Sequence, residues 1–62
     1  MKYVIMVSNH GMWGYTTYCK RDGKPEAYDT EEEAKAVANR YNKGYNPFNR
    51  YYVSEWGRVF DE

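Results

Sequence analysis

The sequence predicts a small α+β domain, a β-β-α-β chain with a three- to four-stranded, mainly antiparallel sheet and one helix packed on one face. Three observations predict it. Residues 3–7, Tyr-Val-Ile-Met-Val, form an unbroken β-prone apolar run. Thr30-Glu31-Glu32-Glu33 has the spacing of a capping box ahead of an apolar stripe of helical period. Two further segments rich in aromatic and β-branched residues, 12–19 and 50–56, are set off by Gly, Asn, Asp and Pro.

The elements follow in order within a single domain, residues 1–62. The first strand covers about residues 2–8, and its unbroken apolar character places it in the middle of the sheet. Asn9-His10-Gly11 is turn chemistry. In the second strand, residues 12–19, alternation puts Trp13, Tyr15, Thr17 and Cys19 on one face and Gly14, Thr16 and Tyr18 on the other. Asp22-Gly23 within Lys20–Pro25 marks a hairpin turn. Residues 26–28 can form a short strand paired back onto the second.

The helix is expected over residues 31–43, with three glutamates at the positive end of its dipole and Gly44 as its stop. Ala34, Val37, Ala38 and Tyr41 make its apolar stripe, small enough to lie close to a sheet bearing large rings. Residues 45–49 read as a loop and 50–56 as the last main strand, with Tyr51 and Val53 on one face and Tyr52, Ser54 and Trp56 on the other. Gly57 breaks or bends it, and residues 58–62 are a tail that can extend it. With the last strand beside the first, the helix crosses over the sheet in the usual right-handed sense.

Composition sharpens this picture. Twelve of the 62 residues are aromatic, eight of them tyrosine, and there is no leucine and only one isoleucine. A chain this short is marginally stable alone, and disulfides, metals or self-association are the usual remedies. Cys19 is the only cysteine, so an internal disulfide is excluded, and with His10 it supplies only two soft ligands where a closed zinc site wants four. Large rings or a second copy of the chain must supply the missing burial. No metal or cofactor is expected. A lone cysteine and no signal segment suit a reducing, cytoplasmic setting. No stretch is long and apolar enough to span a membrane, so no membrane partner is expected. Nine basic and nine acidic residues balance to zero, which argues against nucleic acid.

Chemistry-bearing constellations are few. His10 and Cys19 fall at opposite ends of the first hairpin, about 20 Å apart at roughly 3.3 Å per residue. A nucleophile needs a positioned base, so His10 reads as a turn residue, Cys19 as a small buried hydrophobe, and no catalysis is expected. Glu31 and Glu32 are explained by the helix start, although an exposed acidic turn also suits an arginine patch on a partner. Lys20, Arg21 and Lys24 read as a solvated hairpin tip.

One helix covers one sheet face, leaving rings on the other. Such a patch marks an interaction site, against the plainer reading of cross-strand aromatic pairs that stabilise a thin sheet. The expected contact residues are Trp13, Tyr15, Tyr18, Tyr52 and Trp56, rimmed by Arg21, Arg50 and Glu55. The leading reading is a stoichiometric, non-catalytic binder of a protein partner, itself a homodimer. The alternative is a binder of a nucleotide or other phosphate-bearing ligand, with rings stacking a base and Arg21 or Arg50 on the phosphate. A third reading is a self-associating structural or regulatory module.

The run Tyr28-Asp29-Thr30-Glu31-Glu32-Glu33-Ala34, after a Trp/Tyr hairpin and before a Tyr-Tyr-Val strand, resembles small hairpin–helix–strand proteins of bacteriophages and mobile elements. The likeness covers residues 3–56. It implies a stoichiometric inhibitor of a host enzyme or defence protein, or a protein that sequesters a nucleotide signal, working in the host cytoplasm, and carries over no functional residue.

Overall fold

The computed structural model describes residues 1–44 and 47–60. It is a small α+β domain whose strands are β1 (Tyr3–Asn9), β2 (Tyr15–Tyr18), β3 (Lys20–Arg21), β4 (Lys24–Pro25), β5 (Ala27–Tyr28) and β6 (Asn49–Glu55). Helix α1 (Glu31–Asn42) precedes β6, and a short helix, α2 (Trp56–Val59), follows it.

The apolar run of β1 does lie in the middle, with β6 antiparallel along one edge and β2 and β5 sharing the other. Met6 to Asn9 face β2, whereas Tyr3 and Val4 face β5. Between those two partners the chain leaves the sheet: the Cys19 N–H donates to the Ile5 carbonyl at 2.8 Å, and the Ile5 N–H donates to the Glu26 carbonyl at 3.0 Å. Residues 20–25 project from this gap as the β3–β4 hairpin, closed by Asp22 and Gly23 at φ 55° and 77°. Two positive φ values at a two-residue turn match the twist of the flanking strands, and the Asp-Gly pair tolerates them. The short strand expected at 26–28 meets the second strand only at its first residue, where the Glu26 N–H donates to the Cys19 carbonyl at 2.9 Å; Ala27 and Tyr28 pair with β1 instead.

Two other boundaries differ from expectation. The second strand begins at Tyr15, not residue 12, because the Gly14 N–H donates to the Gly11 carbonyl at 3.1 Å and closes a turn over Met12 and Trp13. A Cβ on Gly14 would meet the Asn9 carbonyl oxygen at 3.0 Å, so that close approach suits glycine. The last strand stops at Glu55, and Trp56, expected as its final residue, opens α2, which runs through Gly57 into the segment expected as a tail. The expected loop at 45–49 lies partly outside the described residues.

Helix α1 begins where the capping box put it, with the Thr30 hydroxyl accepting from the Glu33 N–H at 3.2 Å. It ends one residue early, with Lys43 as its cap. Ala34 and Ala38 bring it close to Ile5, and Tyr3, Cys19, Tyr28, Val37, Tyr51 and Val53 close around them. The opposite face was expected to lie open. It does not: Val4 is fully buried there and Met6 nearly so. Phe60 leaves the β6 side of the sheet yet its ring meets Tyr18 on the β2 side at 5.0 Å, and Trp56 at 4.4 Å. Since β1 lies between β6 and β2, the C-terminal segment crosses over it and forms a second, smaller core.

Candidate functional site

The most exposed rings gather at one end of the sheet. That end holds the C-terminus of β1, the start of β2, the start of β6 and the last turn of α1. Met12 is 91% exposed, Trp13 85%, Phe48 58% and Tyr15 53%. Met12 and Trp13 occupy the two central positions of the Gly11–Gly14 turn, where side chains project away from the sheet.

Asn9 holds this end together. Its side-chain oxygen accepts from the Gly11 N–H at 2.9 Å, and its amide donates to the Asn49 side-chain oxygen at 2.7 Å. A third tie runs from the His10 N–H to the Phe48 carbonyl at 2.7 Å. The Trp13 turn and the Phe48 segment are thereby fastened to one another across β1. Asn in a turn bonding the backbone two residues on is ordinary; bridging to a second segment makes Asn9 the organiser of the site.

Charge is distributed unevenly around it. No Asp or Glu occurs between Met1 and Arg21, or between Ala34 and Ser54. Those two stretches build the aromatic end, which carries Arg40 and Lys43 near the end of α1 and Arg50 on β6. Glu31, Glu32 and Glu33 open the helix at the far end, with Glu55 opposite Tyr3. There Glu55 pairs with Arg58 at 3.1 Å and Glu31 with Lys35 at 3.7 Å. A net charge of zero thus conceals one carboxylate-free, basic end and a far end of mixed charge.

The eight residues expected to bind do not form one patch. Trp13 and Tyr15 belong to the aromatic end, with Arg50 near it and Tyr52 two residues further along β6. Tyr18 and Trp56 are half-buried in the second core against Phe60, because α2 folds their face shut. Lys2 lies over the Trp56 ring at 5.6 Å. Glu55 is tied to Arg58, and Arg21 stands on the hairpin, apart from the rest. Met12, Phe48 and Asn9 were not expected. The two acid-free stretches were the available signal, which the balanced total concealed.

A second polar cluster lies beneath the helix. The Glu26 side chain, only 5% exposed, accepts from the Tyr28 hydroxyl and from the Tyr41 hydroxyl at 2.7 and 2.9 Å. Donation to this carboxylate, then burial, pushes the Tyr41 phenol up to about 12. The Tyr28 phenol is raised chiefly by the same bond to Glu26. Burial, then the Glu26 charge, raises the Cys19 thiol as well, the reverse of what a reactive cysteine needs. Among the described residues, no group of three or more His, Cys, Asp or Glu is placed to hold a metal ion.

No protein-family model matches the chain, and no curated protein or solved structure matches it either.

Proposed function

We propose that the chain is a non-catalytic binding protein that works stoichiometrically through its aromatic, carboxylate-free end. One observation carries this: Trp13 stands 85% exposed at the apex of a turn that Asn9 ties down. Turn apices are ordinarily polar, and water around Trp and Met is unfavourable by roughly 25 cal/mol per Å² of apolar surface. Among the described residues, neither side chain is covered by the rest of the fold. Trp is also the side chain most concentrated at binding hot spots. The raised thiol of Cys19 supports binding over nucleophilic catalysis, since a reactive cysteine needs the opposite shift.

Occlusion of a host enzyme or defence protein is the form of this reading that the sequence resemblance favours. Self-association through the same end is the form with a second copy as partner. The test is capture from a cell extract by immobilised wild-type protein, Trp13→Ala/Phe48→Ala and Tyr18→Ala, each first shown to fold by circular dichroism. The double variant should lose its catch and Tyr18→Ala should keep it. The reverse pattern would return the site to the sheet face.

A further inference from the structure

We infer that the aromatic end is an attachment point for an anionic lipid surface, an inference that rests on the reading above and names the chemistry of its contact. Met12, Trp13 and Phe48 would enter the boundary between headgroups and acyl chains, while Arg40, Lys43 and Arg50 meet headgroup phosphates.

Shape favours this surface. Met12, Trp13 and Phe48, the most exposed apolar side chains of this end, stand on two loops of a molecule measuring 33 × 23 × 20 Å, and none of the three lines the depression between the end of α1 and β6. A bilayer boundary accepts projecting rings without a complementary pocket, and Trp and Tyr favour that layer. Single-stranded nucleic acid would instead need rings spaced along a cation-lined track.

Charge favours it too. Among the described residues, the end is free of carboxylates, the groups that an anionic headgroup layer repels. At the far end the glutamates Glu31, Glu32, Glu33 and Glu55 are partly offset by Lys2, Lys35 and Arg58. A neutral molecule so polarised is not drawn in by its total charge; it is turned to arrive basic end first. No described helix is long and apolar enough to cross a membrane. That bears on crossing a bilayer, not on resting at its surface.

The chain has two tryptophans, so Trp56→Phe leaves Trp13 as sole fluorescent reporter. Wild type and this variant are mixed with vesicles of phosphatidylcholine alone and of phosphatidylcholine with phosphatidylglycerol. The expected result is co-sedimentation with the anionic vesicles, weakened by salt, with a blue shift of Trp13 emission. Trp13→Ala/Phe48→Ala should bind them at least about tenfold more weakly. Sedimentation of wild type does not depend on whether the reporter variant folds. The inference is overturned if wild type ignores anionic vesicles, binds both kinds equally, or binds as well without the two rings. If vesicles are ignored while the double variant still loses a protein from a membrane-free extract, the end is a protein interface: the lipid assignment falls and the binding reading stands.

Discussion

Tyr28 and Tyr41 around Glu26, and Trp13, Tyr15 and Phe48 at the end of the sheet, are the same class of side chain put to different uses. The first pair turns its hydroxyls onto the buried Glu26 carboxylate, joining the segment after the hairpin to the last turns of α1. The second group leaves its rings more than half exposed to water, above a backbone tied down through Asn9. The difference teaches how this chain uses an aromatic excess without leucine. Rings turned onto the buried carboxylate hold the fold together. Rings turned to water offer a surface to meet something else.

Breaking the inner group should have the largest effect. Glu26→Ala strips the acceptor from two phenols, and urea denaturation should show a loss of about 3 kcal/mol, from stranded donors and the cavity left. Glu26→Gln keeps an acceptor oxygen and should cost less, about 1 kcal/mol. Equal losses would mean that the charge, not the acceptor, matters. The same group sets the alkaline limit. A folded-state phenol raised from 10.0 to about 12 contributes stability that is present below the ordinary tyrosine value and lost as pH rises through the folded one. Stability should therefore fall between pH 10.0 and about 12. Phenolate absorbance should show late-titrating tyrosine in the wild type, moved earlier in Glu26→Gln.

Next comes the second core. Phe60 is half-buried, so Phe60→Ala should cost about 2 kcal/mol, below the range for a fully enclosed ring. Hydrogen exchange would then rise at Val4 and Met6 while Ala34 and Ala38 keep their protection. Uniform loss of protection would mean that the two faces fold as one unit.

Most of the framework was legible because local chemistry and tertiary packing agree on it. The unbroken run at residues 3–7, the Asp22-Gly23 turn and the Thr30 cap each have one physical reading, and the fold uses it. The candidate site was not legible, for two reasons. Trp13 alternates correctly for a strand, and only the Gly11–Gly14 hydrogen bond turns it outward. Trp56 likewise alternates with Tyr52, but the backbone turns helical there and carries Phe60 back across β1. In both places a backbone turn beside glycine overrode a period-2 pattern. Glu26 left no mark in the sequence either, since its partners lie two and fifteen residues away.

A smaller effect is expected at the outer edge of β6. Tyr51 faces away from β1 along its backbone, and Asn42 occupies that position: its amide donates to the Tyr51 carbonyl at 2.8 Å and its oxygen accepts the Tyr51 N–H at 2.7 Å. An unpaired edge invites pairing with another chain, and this side chain closes part of it. Asn42→Ala should lower stability by about 1 kcal/mol and raise the apparent mass in light scattering as concentration increases. A variant that stays at the wild-type mass would show that the remaining edge is protected by other means.

The smallest change in stability should come from the most conspicuous residue. Trp13→Ala removes a large ring, yet that ring is 85% exposed and sits above a turn whose hydrogen bonds are made by Asn9, Gly11 and Gly14. Thermal or urea unfolding should shift by no more than about 0.5 kcal/mol, as for surface positions in general. Asn9→Ala is its mirror image: the rings stay, but the Gly11 and Asn49 contacts go, so stability falls and binding weakens because the rings are no longer held together. If Trp13→Ala instead cost as much as Phe60→Ala, the ring would be packing against its own domain, and the contrast between inward and outward aromatics would collapse.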